Sequence, residues 1–240
     1  MIYNGIDICD VDHAISVNKE IPPGAPPVDI QMMDGQHGAI YTGMRTAPAE
    51  YIVRVNIACK VRDDAWRVRN KLALWACVGR TAKLIPTHWP CVSYDAICQS
   101  ISPPEFHFGF GVVEVSFLIP RPFAASLALS RAVLPGGGLY EFGGDIPARP
   151  TISQTIEAKA DSIDISMDGV LFFRLIGTFE AGSTYAIDFA AQTIMYNGQH
   201  AEALVDYTVS KWEPGFGPGG RAITSSDKGP LAIAWRNEWM

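Results

Sequence analysis

Charge is scarce in this sequence. Only 18% of its 240 residues are Asp, Glu, Lys or Arg, and 19 basic residues face 25 acidic ones, for a net charge of −6. No segment gathers the Lys and Arg that a phosphate backbone attracts, so a tightly held nucleic acid is not expected. A mildly acidic surface still lets DNA pass without retaining it. No apolar run reaches the length of a membrane span, and Met1-Ile2-Tyr3-Asn4-Gly5-Ile6-Asp7 shows no basic start leading into an apolar stretch. The expectation is a soluble chain without a signal peptide. Cysteine is sparse: Cys9, Cys59, Cys77, Cys91 and Cys98 are odd in number and lack the rhythm of a secreted disulfide framework, which favours reduced thiols made in a cytoplasm.

Catalytic patterns are missing as well. There is no G-x-S-x-G elbow and no H-E-x-x-H helix. His13, His37, His88, His107 and His200 stand apart from one another. His88, Cys91 and Cys98 make a poor metal set, because an odd separation on a strand sends Cys91 and Cys98 to opposite faces, and no C-x-x-C pair is present. Gly109-Phe110-Gly111 lies inside an alternating strand pattern with no helix after it, unlike a dinucleotide loop. Gly136-Gly137-Gly138 has no Lys-Ser or Lys-Thr after it and reads as a linker. Carboxylate pairs such as Asp161 and Asp164, or Glu141 and Asp145, are what an acidic chain produces by chance. The expectation is no catalytic residue, no cofactor and no metal.

What is abundant is apolar residues, at 48%, together with 22 Gly and 17 Pro. That combination fits short strands joined by turns. Asn18 to Pro48 holds Pro22-Pro23-Gly24-Ala25-Pro26-Pro27 and reads as an extended arm around one short strand, Val28 to Met32. Its contact-making residues would be Ile21, Pro22, Pro23, Pro26, Pro27, Ile30, Met32 and Met33; prolines pre-set an extended backbone, and methionine adapts to a partner surface. Glu50 to Val61 is the strongest strand, with Val53, Val55, Ile57, Cys59 and Val61 on one side and Arg54, Asn56 and Lys60 on the other. A helix follows over about 63–77, capped by Asp63 or Asp64. Ala65, Val68, Leu72 and Trp75 fall on one stripe, with Gly79 past the end and Trp66 and Leu74 flanking it as possible neighbour contacts. Between Phe106 and Ile119 the alternation changes phase, which predicts a bulge near Gly109 or Gly111.

Ala124 to Val133 reads as a helical turn or linker, and the Gly- and Pro-rich 134–150 as the boundary between a domain at 1–133 and another at 151–240. The second domain alternates in short pieces around Asp168-Gly169 and Asn197-Gly198, the latter the clearest hairpin signal, and Val205, Tyr207 and Val209 read as a further strand. Many short strands at near-regular spacing predict a β-sandwich of jelly-roll type. Trp212, Trp235 and Trp239 could stack on a sugar there; the competing place for each is a core or interface.

The order of these signals resembles the distal tail protein family of long-tailed, non-contractile phages. The resemblance rests on Tyr3-Asn4-Gly5-Ile6, the strand Glu50 to Val61, the helix with Leu72 and Trp75, and Gly109-Phe110-Gly111-Val112-Val113-Glu114-Val115-Ser116-Phe117-Leu118-Ile119-Pro120-Arg121-Pro122-Phe123. Looser echoes follow at Phe179-Glu180-Ala181-Gly182, Tyr196-Asn197-Gly198, Trp212-Glu213-Pro214-Gly215 and Ile233-Ala234-Trp235-Arg236. It implies a mainly β fold: an N-terminal split β-barrel with one helix, then a galectin-like sandwich. It further implies a hexameric ring between the tail tube protein and the tail tip or baseplate hub protein, with a channel through which DNA passes. The protein would be a virion component made in the host bacterial cytoplasm, with a receptor-binding protein or host-surface glycan as a further partner and no catalytic residue. The alternative reading is a carbohydrate-binding sandwich module.

Overall fold

The computed structural model describes residues 1–24, 28–32, 39–44 and 47–239, with backbone alone over 28–32 and 39–44. The chain divides into two compact units, the first running to Ala124 and the second from Ala125 to Trp239. No helix among the described residues is long and apolar enough to cross a membrane.

The first unit contains β1 (Ile2–Tyr3), β2 (Ile6–Asp7), the single helical turn α1 (Ile8–Val11), β3 (Ile15–Ile21), β4 (Val28–Met32), β5 (Ala39–Met44), β6 (Ala49–Ala58), α2 (Arg62–Ala76), β7 (Ala82–Ile85), β8 (Val92–Ile101), β9 (Glu105–His107) and β10 (Phe110–Ile119). Its main sheet runs β2-β1-β7-β8-β10-β6-β3. The strand β8 serves two ladders. Tyr94 and Ala96 pair with β7, whereas Ile97 to Ile101 pair with β10, so the sheet is split about one strand. This is the split-barrel arrangement that the resemblance implied.

Alternation dictates the core. Tyr51, Val53 and Val55 of β6 pair with Phe117, Val115 and Val113 of β10 across the ladder, Ile57 and Ile119 extend the same face, and all eight are fully buried. Each contributes about 1.5–3 kcal/mol by leaving water. The stripe of α2 closes on this core as its spacing requires: Ala65, Val68, Leu72 and Trp75 are buried, while Trp66 and Leu74 are exposed.

Three local expectations are corrected here. The N-cap of α2 is Val61, with no side-chain cap, so Asp63 and Asp64 act only as first-turn acids that favour the positive end of the helix dipole. Val61 is exposed because β6 ends at Ala58, three residues before it. The change of phase after Phe106 is a hairpin, not a bulge at Gly109 or Gly111: β9 and β10 pair His107 with Phe110 across a turn at Phe108-Gly109, where Gly109 takes a φ of +88°. The register shift in β10 lies further on, at Ser116/Phe117 opposite β8.

The second unit begins in β11 (Ala124–Ser126) and continues through β12 (Ser130–Pro135), β13 (Gly137–Phe142), β14 (Thr151–Thr155), β15 (Ala160–Met167), β16 (Val170–Phe179), β17 (Thr184–Asp188), β18 (Thr193–Tyr196), β19 (Gln199–His200), β20 (Gly219–Ser225), β21 (Pro230–Trp235) and β22 (Glu238–Trp239). A six-stranded sheet, β12-β21-β14-β17-β18-β19, packs on a four-stranded one, β13-β20-β15-β16. Ile152, Ile187, Ile194 and Ile233 from the first share one core with Ile163, Ile165, Phe173 and Ile223 from the second. Asp168-Gly169 and Asn197-Gly198 both take the paired positive φ of type I′ turns, as their sequences predict.

The boundary differs from the expected one. Residues 124–126 and 130–135 form strands instead of a helical turn, and 134–150 contain β13 instead of a linker. The glycines there serve close approach: a Cβ on Gly137 would lie 2.2 Å from the Ile223 carbonyl oxygen, and its φ is +107°. The expected strand at Val205, Tyr207 and Val209 is also absent. Val205 makes a single bridge to Leu175, and Asp206 turns the chain by accepting from the Thr208 amide at 3.0 Å.

Candidate assembly surfaces

Unpaired strand edges are the most general kind of assembly surface. In the first unit the two ends of the main sheet are β2 and β3. The strand β3 leads directly into the proline-rich arm, and its C-terminal end is held by Glu20. That carboxylate accepts from the Tyr51 hydroxyl at 2.8 Å and from the Thr87 amide at 3.1 and 3.2 Å, and lies 3.0 Å from His88 Nδ1. Its side chain is only 6% exposed. Burial works to raise the Glu20 carboxyl, but the hydrogen bonds from Thr87, Tyr51 and His88 together outweigh it and hold it below the usual glutamate value. Burial and then Glu20 itself push the Tyr51 hydroxyl far up, so it stays a donor. The arm therefore departs from a fixed point.

Of the eight arm residues expected to make contacts, Ile21 is half-buried at the end of β3, opposite Ile52. Pro22 is exposed and Pro23 half-buried. Ile30 and Met32 lie on β4, while Pro26, Pro27 and Met33 lie outside the described residues. The arm is more structured than a loop around one strand. Asn18 to Ile21 still belong to β3, and β4 pairs antiparallel with β5, joining Ile30 to Tyr41 and Met32 to Ala39. The missed signal was Ile40-Tyr41-Thr42, a β-branched and aromatic run.

Exposed apolar side chains mark a second surface of the first unit. Phe108 at the β9–β10 turn is fully exposed, and Phe106 and Phe110 beside it are 39% and 40% exposed. His107 stacks on Phe110 with ring centroids 5.1 Å apart. Trp66 and Leu74 project from α2 eight residues apart, on the same side by helical spacing.

The three tryptophans proposed for sugar stacking do not form a platform. Trp235 is 7% exposed, and its ring packs on Phe142 at 5.0 Å. Trp212 meets Phe173 and Phe189 edge-on at 5.0 and 5.9 Å. Phe142, Phe216 and Phe189 connect the two, so Trp235 and Trp212 terminate one aromatic chain within the core. Trp239 is half-buried on β22. Large aromatics were drawn inward because a sandwich needs their bulk.

A different concavity opens on the outer face of the six-stranded sheet, with a volume of about 490 Å³. The ladder aligns Val133, Ala232, Ser153, Ala186 and Met195 in one row. The three small central residues leave a trough between Val133 and Met195, with Arg131, Thr155 and Thr184 on its walls. Among the described residues, no three His, Cys, Asp or Glu side chains come together as a metal cage. His88 is engaged with Glu20, apart from the set with Cys91 and Cys98 considered above.

Comparison with known proteins adds the following. Residues 143–239 match the family model described as the siphovirus-type tail component, C-terminal domain. Among solved structures, the chain is similar to the Dit protein of phage SPP1, described as a paradigm of the hub adsorption apparatus in phages infecting Gram-positive hosts. The TM-score is 0.85 at 14% identity, covering 100% of this chain and 98% of that one. A chain of the phage p2 baseplate in its calcium-activated conformation matches with a TM-score of 0.46 at 8% identity, over 93% and 90% of the two chains. No curated protein sequence matches.

Proposed function

We propose that this chain, whose C-terminal domain belongs to the siphovirus-type tail component family, is a structural hub of a long-tailed phage, located in the virion at the tail tip or baseplate. The observation that carries this reading is the family match over 143–239. The full-length likeness in fold to the SPP1 Dit protein is consistent with it, because both units are represented in their order along the chain. The resemblance in Tyr3-Asn4-Gly5-Ile6 and in the β10 segment extends the same reading to the first unit.

In its finer form the proposal is a closed hexameric ring, joining the tail tube protein to the tip protein around a channel for DNA. A ring needs two different complementary surfaces on each subunit. The β3 edge with its β4–β5 arm supplies one kind, and the exposed Phe106, Phe108 and Phe110 another. A net charge of −6 suits a lumen that must not retain DNA. The chain would be made in the bacterial cytoplasm and act by position, without chemistry.

The test is mass and shape in solution. Light scattering and negative-stain imaging of the purified chain, alone and with its tube protein, should give closed rings of six. A monomer under both conditions would refute the ring. Saccharide binding by that monomer would favour the carbohydrate module instead, with the trough beside Arg131 as the surface to mutate.

A further inference from the structure

We propose that Asn4 is a site of spontaneous deamidation, converting to aspartate and isoaspartate through a succinimide, while Asn197 in a matching turn is protected from the same reaction by one hydrogen bond. The two sites are an internal control for each other. Tyr3-Asn4-Gly5 and Tyr196-Asn197-Gly198 carry the same three residues. The local chemistry that sets the rate in an unfolded chain is therefore nearly shared.

Their backbones match as well. The φ values are +51° and +79° at Asn4 and Gly5, and +49° and +77° at Asn197 and Gly198. Each turn closes a hairpin onto a two-residue edge strand, β2 in one sheet and β19 in the other. Tyr3 pairs with Ile6 across the first turn, and Tyr196 with Gln199 across the second. Each asparagine amide donates to the adjacent strand: Asn4 to the Lys83 carbonyl of β7 at 3.0 Å, Asn197 to the Thr184 carbonyl of β17 at 2.8 Å. All four turn residues are exposed, and the space around both glycines is open.

The side chains differ. The Thr184 amide returns a bond to Asn197 Oδ1 at 2.9 Å, which holds that carboxamide toward β17. Among the described residues, no group bonds the Asn4 carboxamide. Ring closure requires the side chain to swing over its own backbone until Cγ meets the glycine nitrogen. Asn4 is free to do so whenever the short β2 edge opens, whereas Asn197 must first give up its bond to Thr184.

In the reaction the Gly5 amide nitrogen loses its proton to hydroxide and attacks Asn4 Cγ. The Cγ–Nδ2 bond breaks, and Nδ2 leaves as ammonia with a proton taken from water. One water then adds to either carbonyl of the succinimide, and ring opening gives aspartate or isoaspartate at position 4. One water is consumed, one ammonia is released, and nothing is oxidised. The isoaspartyl product carries an extra main-chain atom, so the two-residue turn no longer holds Tyr3 opposite Ile6. The Ile6 carbonyl accepts from the Trp75 indole at 3.2 Å, so the disturbance reaches the end of α2. The new carboxylate also joins Asp7, Asp10 and Asp12 in an already acidic segment. None of this depends on the hub reading.

The experiment uses the full chain, incubated at mildly alkaline pH in native buffer and, in parallel, in urea. Peptide mapping by mass spectrometry measures conversion at both positions in one sample, and an isoaspartyl methyltransferase reports isoaspartate. In native buffer, position 4 should convert about tenfold faster than position 197, the factor that one ordinary hydrogen bond supplies. In urea the two rates should converge. Thr184→Pro removes the donor at the first residue of a strand, where proline is tolerated, and should bring Asn197 to the Asn4 rate. Aged wild-type protein should lose hydrogen-exchange protection over residues 6–8, while Asn4→Gly, which keeps the positive φ and has no carboxamide, should retain it. No conversion at position 4 in the folded chain would overturn the proposal, as would equal native rates or a preference for position 197. A difference that persists undiminished in urea would overturn the role of the Thr184 bond. If Thr184→Pro does not fold, the native and urea rates of the wild-type chain decide.

Discussion

The indole N–H of Trp75 donates to the backbone carbonyl of Ile6 at 3.2 Å, so the last turn of α2 is bonded to the hairpin at the start of the chain. The same ring contacts Tyr3 and Phe117, which makes Trp75 the point where helix, N-terminal hairpin and β10 meet. Its loss should be costly. Trp75→Ala is expected to destabilise by about 3–5 kcal/mol through the cavity it leaves. Trp75→Phe keeps most of the packing but strands the Ile6 carbonyl, for about 1 kcal/mol. Urea unfolding of the two variants separates these contributions; equal losses would show that packing is not the larger one.

Gly137 distinguishes a linker from a packed strand. Its φ is +107°, and a Cβ there would collide with the Ile223 carbonyl. Gly137→Ala should cost about 1–3 kcal/mol or more and loosen β13 from β20. Hydrogen exchange across 137–142 and 219–224 reads this directly. Unchanged protection in both segments would mean that the glycine is only a spacer.

Glu20 should make the root of the arm sensitive to acid. Its carboxyl is held below the ordinary value of 4.5 in the folded chain. A lowered folded value gives stability that is fully present above the unfolded value and is lost as pH falls through the folded one. The latch should therefore weaken below about pH 4. Glu20→Gln is expected to cost about 1 kcal/mol near neutrality and nothing once wild-type Glu20 is protonated. Stability curves of both proteins should converge in acid, and parallel curves would exclude Glu20 as the titrating group. His88 and Tyr51 are the other titratable groups on this carboxylate and should be left intact in the comparison.

The arm should matter for assembly more than for folding. Replacing residues 22–27 by a Gly-Ser segment of equal length leaves Glu20 and the β3 ladder in place. The expected outcome is a folded monomer with normal circular dichroism and weakened ring formation by sedimentation, because the prolines no longer pre-set the extended backbone. Full assembly would remove the arm from the interface. Unfolding would place it in the subunit's own core.

Much of this architecture follows from the sequence by itself, wherever the determining interactions are local. The period-two pattern of Val53, Val55 and Ile57 could fill only one side of a strand, and the spacing of Ala65, Val68, Leu72 and Trp75 could make only one helix face. Asp168-Gly169 and Asn197-Gly198 specify their turns because few residues tolerate those positive φ values. Contacts distant along the chain were decided only by the tertiary structure. Phe106, Phe108 and Phe110 alternate like core residues, yet the turn at Gly109 turns them to solvent. Gly137 looks like a spacer until the Ile223 carbonyl, far along the chain, approaches it. Trp212 and Trp235 look available for a sugar until Phe142, Phe189 and Phe216 gather between them. Local pattern fixes which way a residue points along its own element, whereas packing between elements fixes what it meets there.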